Sequence, residues 1–305
     1  MHPIFNLIRW KNLIIIALAQ LLIKYALLEP FGVQTHLDFL GILLLILATI
    51  CIAAAGNIIN DINDIETDFV NKPNKIIIGK SVSEKTAYTL FITLNLVGVG
   101  IGFYLSHLIN KAPFFSIFVI ISILLYIYAT YLKRTLLIGN IVISILVALS
   151  ILIVGVFELL PAITPQNKQI QFTFFKVIID YAMFAFIINF LREIAKDIED
   201  IDGDYKAGMN TLPIALGRER AKNILTLLNF IPLVIIIFYI VSTLYKQPIA
   251  VGYFLMFVIA PLLYTTIKTF NAETKKDFHN LSNMYKLVML FGILSLLLYK
   301  YVILN

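Results

Sequence analysis

Polar and apolar positions in this chain fall into long blocks. Nine stretches are dominated by Leu, Ile, Val, Phe and Ala: residues 12–29, 38–59, 86–108, 113–132, 136–160, 172–192, 222–243, 248–268 and 284–304. A helix of about 20 apolar residues crosses the hydrocarbon core of a bilayer. Because helices satisfy their own backbone groups in lipid, the pattern predicts an all-α integral membrane protein with nine transmembrane helices in a single domain, 1–305. Some breaks between blocks are tight. Asn110-Lys111-Ala112-Pro113 joins the third and fourth, and Lys133-Arg134-Thr135 joins the fourth and fifth. Short links favour antiparallel neighbours in a bundle. Two other breaks, about 60–85 and 193–221, are long and acidic.

Inside those two breaks the polar residues return to a helical period. On a wheel of about 100° per residue, Asn57, Asn60, Asp61, Asp64 and Asp68 share an arc of roughly 100°. Ile58, Ile59, Ile62, Ile65 and Phe69 take the opposite side. Glu193, Asp197, Asp200 and Asp204 fit within about 60°, with Asn189 one turn earlier on the same stripe. Each motif therefore reads as the end of a span continuing as an amphipathic helix. Asp61, Asp64 and Asp68 match Asp197, Asp200 and Asp204 at one constant offset of 136 residues. Four spans separate the motifs, and an even number returns the chain to the same membrane face in the same sense. The expectation is two pseudo-repeated half-bundles.

Composition agrees with the pattern. The chain is 60% hydrophobic and 14% charged, with mean hydropathy +0.91, where soluble domains carry about 25% charged residues. The single cysteine, Cys51, excludes a disulfide framework. The net charge of +6 belongs to no soluble basic domain, so nucleic-acid binding is not expected. It bears on orientation instead. With the N-terminus and even-numbered loops on one side, 18 of the 24 Lys and Arg fall there and four fall opposite. The positive-inside rule then puts the N-terminus and both acidic motifs in the cytoplasm and the C-terminus outside, in a multi-pass protein of the plasma membrane. The first apolar run is read as a retained span, not a cleaved leader.

The carboxylates run against this basic bias, since 10 of the 18 Asp and Glu lie within 61–68 and 193–204. Oxygen ligands on successive turns of one face suit Mg²⁺, which takes one or two carboxylates together with substrate phosphates. Two such faces across a cavity would clamp a diphosphate and neutralise it as a leaving group. Lys72, Lys75, Lys133, Arg134, Arg192 and Lys196 lie near the motifs in sequence or on the same face, and are candidates for binding the remaining diphosphate oxygens. The alternative is that these charges only set topology.

Asn60-Asp61-x-x-Asp64-x-x-x-Asp68 resembles the first signature of the UbiA superfamily of intramembrane prenyltransferases. The run from Arg192 through Asp197, Asp200 and Asp204 resembles the second, continuing into Ala207-Gly208-x-x-Thr211-Leu212-Pro213. The resemblance implies nine helices around a central cavity and a polyprenyl diphosphate held with Mg²⁺. It implies metal sites at Asn60, Asp61, Asp64, Asp68, Asp197, Asp200 and Asp204, with Asp64, Asp68, Asp200 and Asp204 as the catalytic set. It also implies a lipophilic acceptor and a hydrophobic tunnel open to membrane lipid, with no obligate protein partner. The stretch from Arg192 to Gly217 looks most like members that prenylate geranylgeranylglyceryl phosphate. Aromatic quinone precursors such as 4-hydroxybenzoate or dihydroxynaphthoate are the other acceptors considered, and a small-solute transporter is the non-enzyme alternative. Where members carry arginines after the first motif, this chain has Lys72 and Lys75.

A few polar residues stand apart. Tyr126, Tyr128 and Tyr131 are either interfacial anchors or aromatic faces for a carbocation. Lys176 and Asp180 are expected to pair along their helix. Lys24 is expected to snorkel outward, and Glu158 to sit at the membrane interface.

Overall fold

The computed structural model describes residues 3–73 and 76–303, with side chains to 300. Among the described residues nine helices are long and apolar enough to cross a membrane: Trp10–Phe31, Phe39–Asn63, Glu84–Leu108, Ala112–Thr130, Ile138–Ala162, Lys168–Lys206, Arg218–Leu244, Pro248–Phe270 and Lys275–Lys300. The chain is an all-helical, multi-pass membrane protein, and the nine apolar blocks coincide with its spans. Helix starts carry local signals. Asp38 accepts from the Gly41 N–H, Ser83 accepts from Thr86, and Thr274 with Asp277 forms a reciprocal capping box.

The sixth helix organises the bundle. It runs unbroken for 39 residues, about 58 Å at 1.5 Å per residue, against about 30 Å of hydrocarbon. Its second half therefore carries the motif beyond the lipid. Ala182 and Ala185 pack among the first five spans and the end of the ninth, whereas Ile188, Leu191 and Ile194 pack among the last three. A third apolar cluster, including Leu7, Ile58, Ile62, Ile78 and Val82, seals the motif end of the second and third spans. Those two spans lie close: a Cβ on Gly98 would sit 3.0 Å from the Ala48 carbonyl oxygen. Small residues permit such approach where no hydrophobic force drives helices together in lipid.

Three expectations are revised. The second span does not continue as one amphipathic helix. It ends at Asn63, Asp64 adopts φ −100° and ψ 4°, and a separate helix, Ile65–Asn71, follows. Asn63 turns its amide back onto the Ile59 carbonyl at 2.8 Å, and Asp64 is drawn sideways by partners on other elements. Such short polar side chains compete with the helix ladder. Lys24 does not snorkel and Glu158 is not interfacial. They are 2% and 0% exposed and pair at 2.8 Å. Lys24 also donates to the Leu37 carbonyl, and the Leu37 N–H donates to the second Glu158 oxygen at 3.0 Å. Lys24 lies in a widened π-turn, Ile23–Leu28, and the chain after it folds over the helix ends, covering both charges. Lys176 and Asp180 both stay exposed, and no ion pair joins them among the described residues.

Candidate active site

The first motif is built across the Asn63–Asp64 joint. Asn60 donates to Asp64 at 2.7 Å. Lys133, from the link between the fourth and fifth spans, reaches the other Asp64 oxygen at 2.5 Å. Asp61 turns away toward Arg9, at 2.7 Å. Asp68 lies on the short second helix. Burial pushes its carboxyl up to about 6, against the pull of Lys72, and the nearby charges of Asp64, Asp61 and Asp200 add to the rise.

The second motif lies on the continuous sixth helix. Lys72 binds Asp200 at 2.6 Å, while the other Asp200 oxygen is buried and unpartnered among the described residues. Asp197 accepts from Asn140 at 2.7 Å, and Asp204 is buried nearby. Asn71 locks the motifs together. Its amide donates to the Asp200 carbonyl at 2.8 Å and its oxygen accepts from the Gly203 N–H at 2.9 Å. Gly203 makes room for this, because a Cβ would meet that amide and push it out of place. Lys275 donates to the Asn71 carbonyl at 2.8 Å, tying in the ninth span.

Six of the seven predicted acidic and amide ligands thus stand on the jointed first motif and the facing sixth helix, and Asp61 is held aside by Arg9. Among the described residues no three His, Cys, Asp or Glu side chains enclose an ion by themselves. The donor set nevertheless fits Mg²⁺, which uses one or two carboxylates per ion and completes its shell with phosphate and water. The orphaned Asp200 oxygen is an acceptor awaiting a ligand. Lys133 sits on a carboxylate of the first motif and Lys72 on one of the second, where an ion would displace them toward phosphate. Burial lowers the Lys133 ammonium from its usual value despite Asp64, whereas for Lys72 the carboxylates of Asp200, Asp68 and Glu199 outweigh burial and raise it.

The other basic candidates divide. Arg134 is exposed, and its recorded bond is a backbone one, from the Asn210 N–H to its carbonyl at 2.8 Å. Arg192 and Lys196 both bind Glu193, each at 2.7 Å. Lys75 lies outside the described residues.

Beside the acids a cavity enters the bundle between the first, second, fourth, fifth, sixth and ninth spans. Its empty space, counted out through the open mouth, is about 1510 Å³. The inner wall is apolar, with Ala19, Ile52, Phe118, Leu146 and Ile153. The outer end is polar, with Asn60 of the first motif beside Arg9, Arg192 and Lys286. Tyr128 lines the cavity, whereas Tyr126 and Tyr131 face outward. Sequence reasoning missed Asn71, Arg9 and Lys286. The last two were counted only as topological charge, although each stands at or inside the edge of an apolar block.

The model of the UbiA prenyltransferase family matches residues 17–300. Digeranylgeranylglyceryl phosphate synthase of Methanosphaera stadtmanae is 31% identical over 258 residues, covering 82% of this chain and 86% of the relative. A solved structure concerning digeranylgeranylglyceryl phosphate synthase in membranes superposes with a TM-score of 0.62 at 24% identity, covering 97% of this chain and 98% of that one. A UbiA homologue from Archaeoglobus fulgidus bound to DMAPP and Mg²⁺ superposes with a TM-score of 0.58 at 18% identity, covering 96% and 98%.

Proposed function

This chain belongs to the UbiA prenyltransferase family and is a prenyltransferase, and from that premise we propose that it transfers a geranylgeranyl group from its diphosphate to geranylgeranylglyceryl phosphate. The observation that carries this reading is the pair of facing acidic segments at the polar mouth of a deep apolar cavity. The acceptor assignment is supported by the names of the curated relatives, and Mg²⁺ dependence by the magnesium and prenyl diphosphate bound in the Archaeoglobus homologue.

In this reading Asn60, Asp64 and Asp68 from one side, and Asp197, Asp200 and Asp204 from the other, would hold Mg²⁺, with Asp61 joining them only on leaving Arg9. The ion supplies charge neutralisation at the diphosphate. Lys72 and Lys133 leave their carboxylates and donate to diphosphate oxygens. The allylic C–O bond breaks with its electron pair going to the diphosphate. A bond forms between the allylic carbon and the acceptor hydroxyl oxygen, and the hydroxyl proton passes to the released diphosphate. Tyr128 presents an aromatic face toward the developing cation. The apolar inner wall houses the prenyl tail and excludes water that would hydrolyse the diphosphate. The motif end faces the cytoplasm, following the basic residues.

The test is product detection by mass spectrometry. Purified protein with geranylgeranyl diphosphate and Mg²⁺ is offered geranylgeranylglyceryl phosphate, 4-hydroxybenzoate and dihydroxynaphthoate. The expected product is the second ether of the glyceryl phosphate. Prenylation of an aromatic acceptor with none of the glyceryl phosphate would overturn the acceptor assignment.

A further inference from the structure

The charged groups in and beside the cavity fall into two sets of opposite sign. On the motif side, Asp64, Asp68, Asp197, Asp200 and Asp204 outnumber Lys72 and Lys133. Among the residues that line the cavity itself the balance reverses. Arg9, Arg192, Lys196 and Lys286 all line the cavity. Glu193 is shared by Arg192 and Lys196, and Asp61 answers Arg9. Lys286, from the ninth span, has no ion pair among the described residues. The charges that bear on it most are Arg192, Lys196 and Arg9, against the single carboxylate of Glu193. The Arg192 Nε is buried without a hydrogen-bond partner.

Four cations against two ion-paired carboxylates leave two positive charges without an ion-pair partner of their own, with Asp64, Asp197 and Glu199 acting from farther off. Like charges gathered in a half-buried site repel, and without an anion the arrangement is unfavourable. Arg9 adds backbone strain. It stands in the left-handed region, φ 54° and ψ 50°, which is uncommon for a non-glycine residue and marks a position held for a purpose. A phosphate monoester carries about −1.5 to −2 charges at neutral pH, which matches the excess. Resting on the acceptor reading above, we infer that Arg9, Arg192, Lys196 and Lys286 form a subsite for the acceptor's phosphate monoester, separate from the acid-lined diphosphate site. This moves Arg192 and Lys196 from the diphosphate to the acceptor. It also gives a physical basis for substrate order. The diphosphate requires metal to approach the aspartates, whereas a monophosphate meets preformed cations.

Two measurements test the subsite. The first omits Mg²⁺ and diphosphate and follows binding of dodecyl phosphate through Trp10, the chain's single tryptophan, adjacent to Arg9. Wild type is expected to bind. Lys286→Gln is expected to weaken binding by about tenfold or more, the loss of one charge-assisted hydrogen bond, while Lys286→Arg restores it and Lys72→Gln leaves it unchanged. The second is steady-state transfer, in which Lys286→Gln raises the KM for geranylgeranylglyceryl phosphate and leaves that for geranylgeranyl diphosphate within about twofold, inside experimental scatter. Absence of binding by wild type, or equal losses in the Lys72 and Lys286 variants, overturns the subsite whatever the turnover. Transfer only to a phosphate-free acceptor, with dodecyl phosphate still bound through Lys286, overturns the acceptor reading and leaves the anion subsite standing.

Discussion

Gly203→Ala separates two opposed expectations. By helix propensity alone, alanine within the sixth helix stabilises by about 0.5–1 kcal/mol. In the fold, however, the new methyl group takes the space of the Asn71 amide. That amide can swing aside, and what is lost is its pair of hydrogen bonds, to the Asp200 carbonyl and from the Gly203 N–H. Each is worth about 0.5–1.5 kcal/mol net, so docking of helix Ile65–Asn71 weakens by about 1–3 kcal/mol, or roughly 5- to 150-fold. Lys72 follows Asn71 directly, so its contact with Asp200 loosens as well. Hydrogen exchange should report faster exchange across residues 65–73, and the KM for geranylgeranyl diphosphate should rise. Asn71→Ala should reproduce both effects, and the double variant should be no worse than Asn71→Ala, because the clash and the lost bonds share one cause. A protected 65–73 segment with a raised melting temperature in Gly203→Ala, or additive losses in the double variant, would refute this account.

Two further outcomes follow from the charges. Lys24→Met leaves Glu158 buried without its cation and should destabilise the protein by about 3–5 kcal/mol, whereas Lys24→Met with Glu158→Leu should recover most of that; thermal unfolding of both in detergent checks this, and equal losses would dismiss the pair. The Asp68 carboxyl, pushed up to about 6 by burial, binds its proton more tightly than a free aspartate and must release it to bind metal. Apparent Mg²⁺ affinity should therefore rise with pH through about 6, with a weaker rise in Asp68→Asn. Calorimetric titrations at several pH values would show it, and a flat profile in wild type would count against Asp68 as a ligand.

The spans were legible because lipid imposes one demand on every residue of a span, and that demand is written locally. The aspartates were legible for the converse reason, since clustered charge in an apolar chain has few explanations. What escaped were features that exist only between distant segments. The helical wheel placed Asp68 on one face with Asn60, yet the joint at Asp64 depends on Lys133, from another link. Asn71 carries no signal of its own in the sequence, and its role comes from Gly203, 132 positions away, which gives it a socket. Arg9 and Lys286 satisfied the topology rule so readily that nothing in the pattern required a second role. Lys24 and Glu158 each had a reasonable solitary reading, and only the fold over the helix ends removed both.

The separation of that last pair bears on how the protein is made. Lys24 and Glu158 lie 134 residues apart, and chains grow at about 5–20 residues per second. The first span therefore waits in the membrane on the order of ten seconds before its partner exists. Over that interval its lysine is unneutralised, at about 2.5–3.5 kcal/mol if held at the bilayer centre, and it lowers this cost by reaching for the headgroups. The outward posture belongs to the nascent chain and the buried pair to the finished one. Arrival of the fifth span thus withdraws the lysine from the lipid surface and joins the start of the chain to its middle.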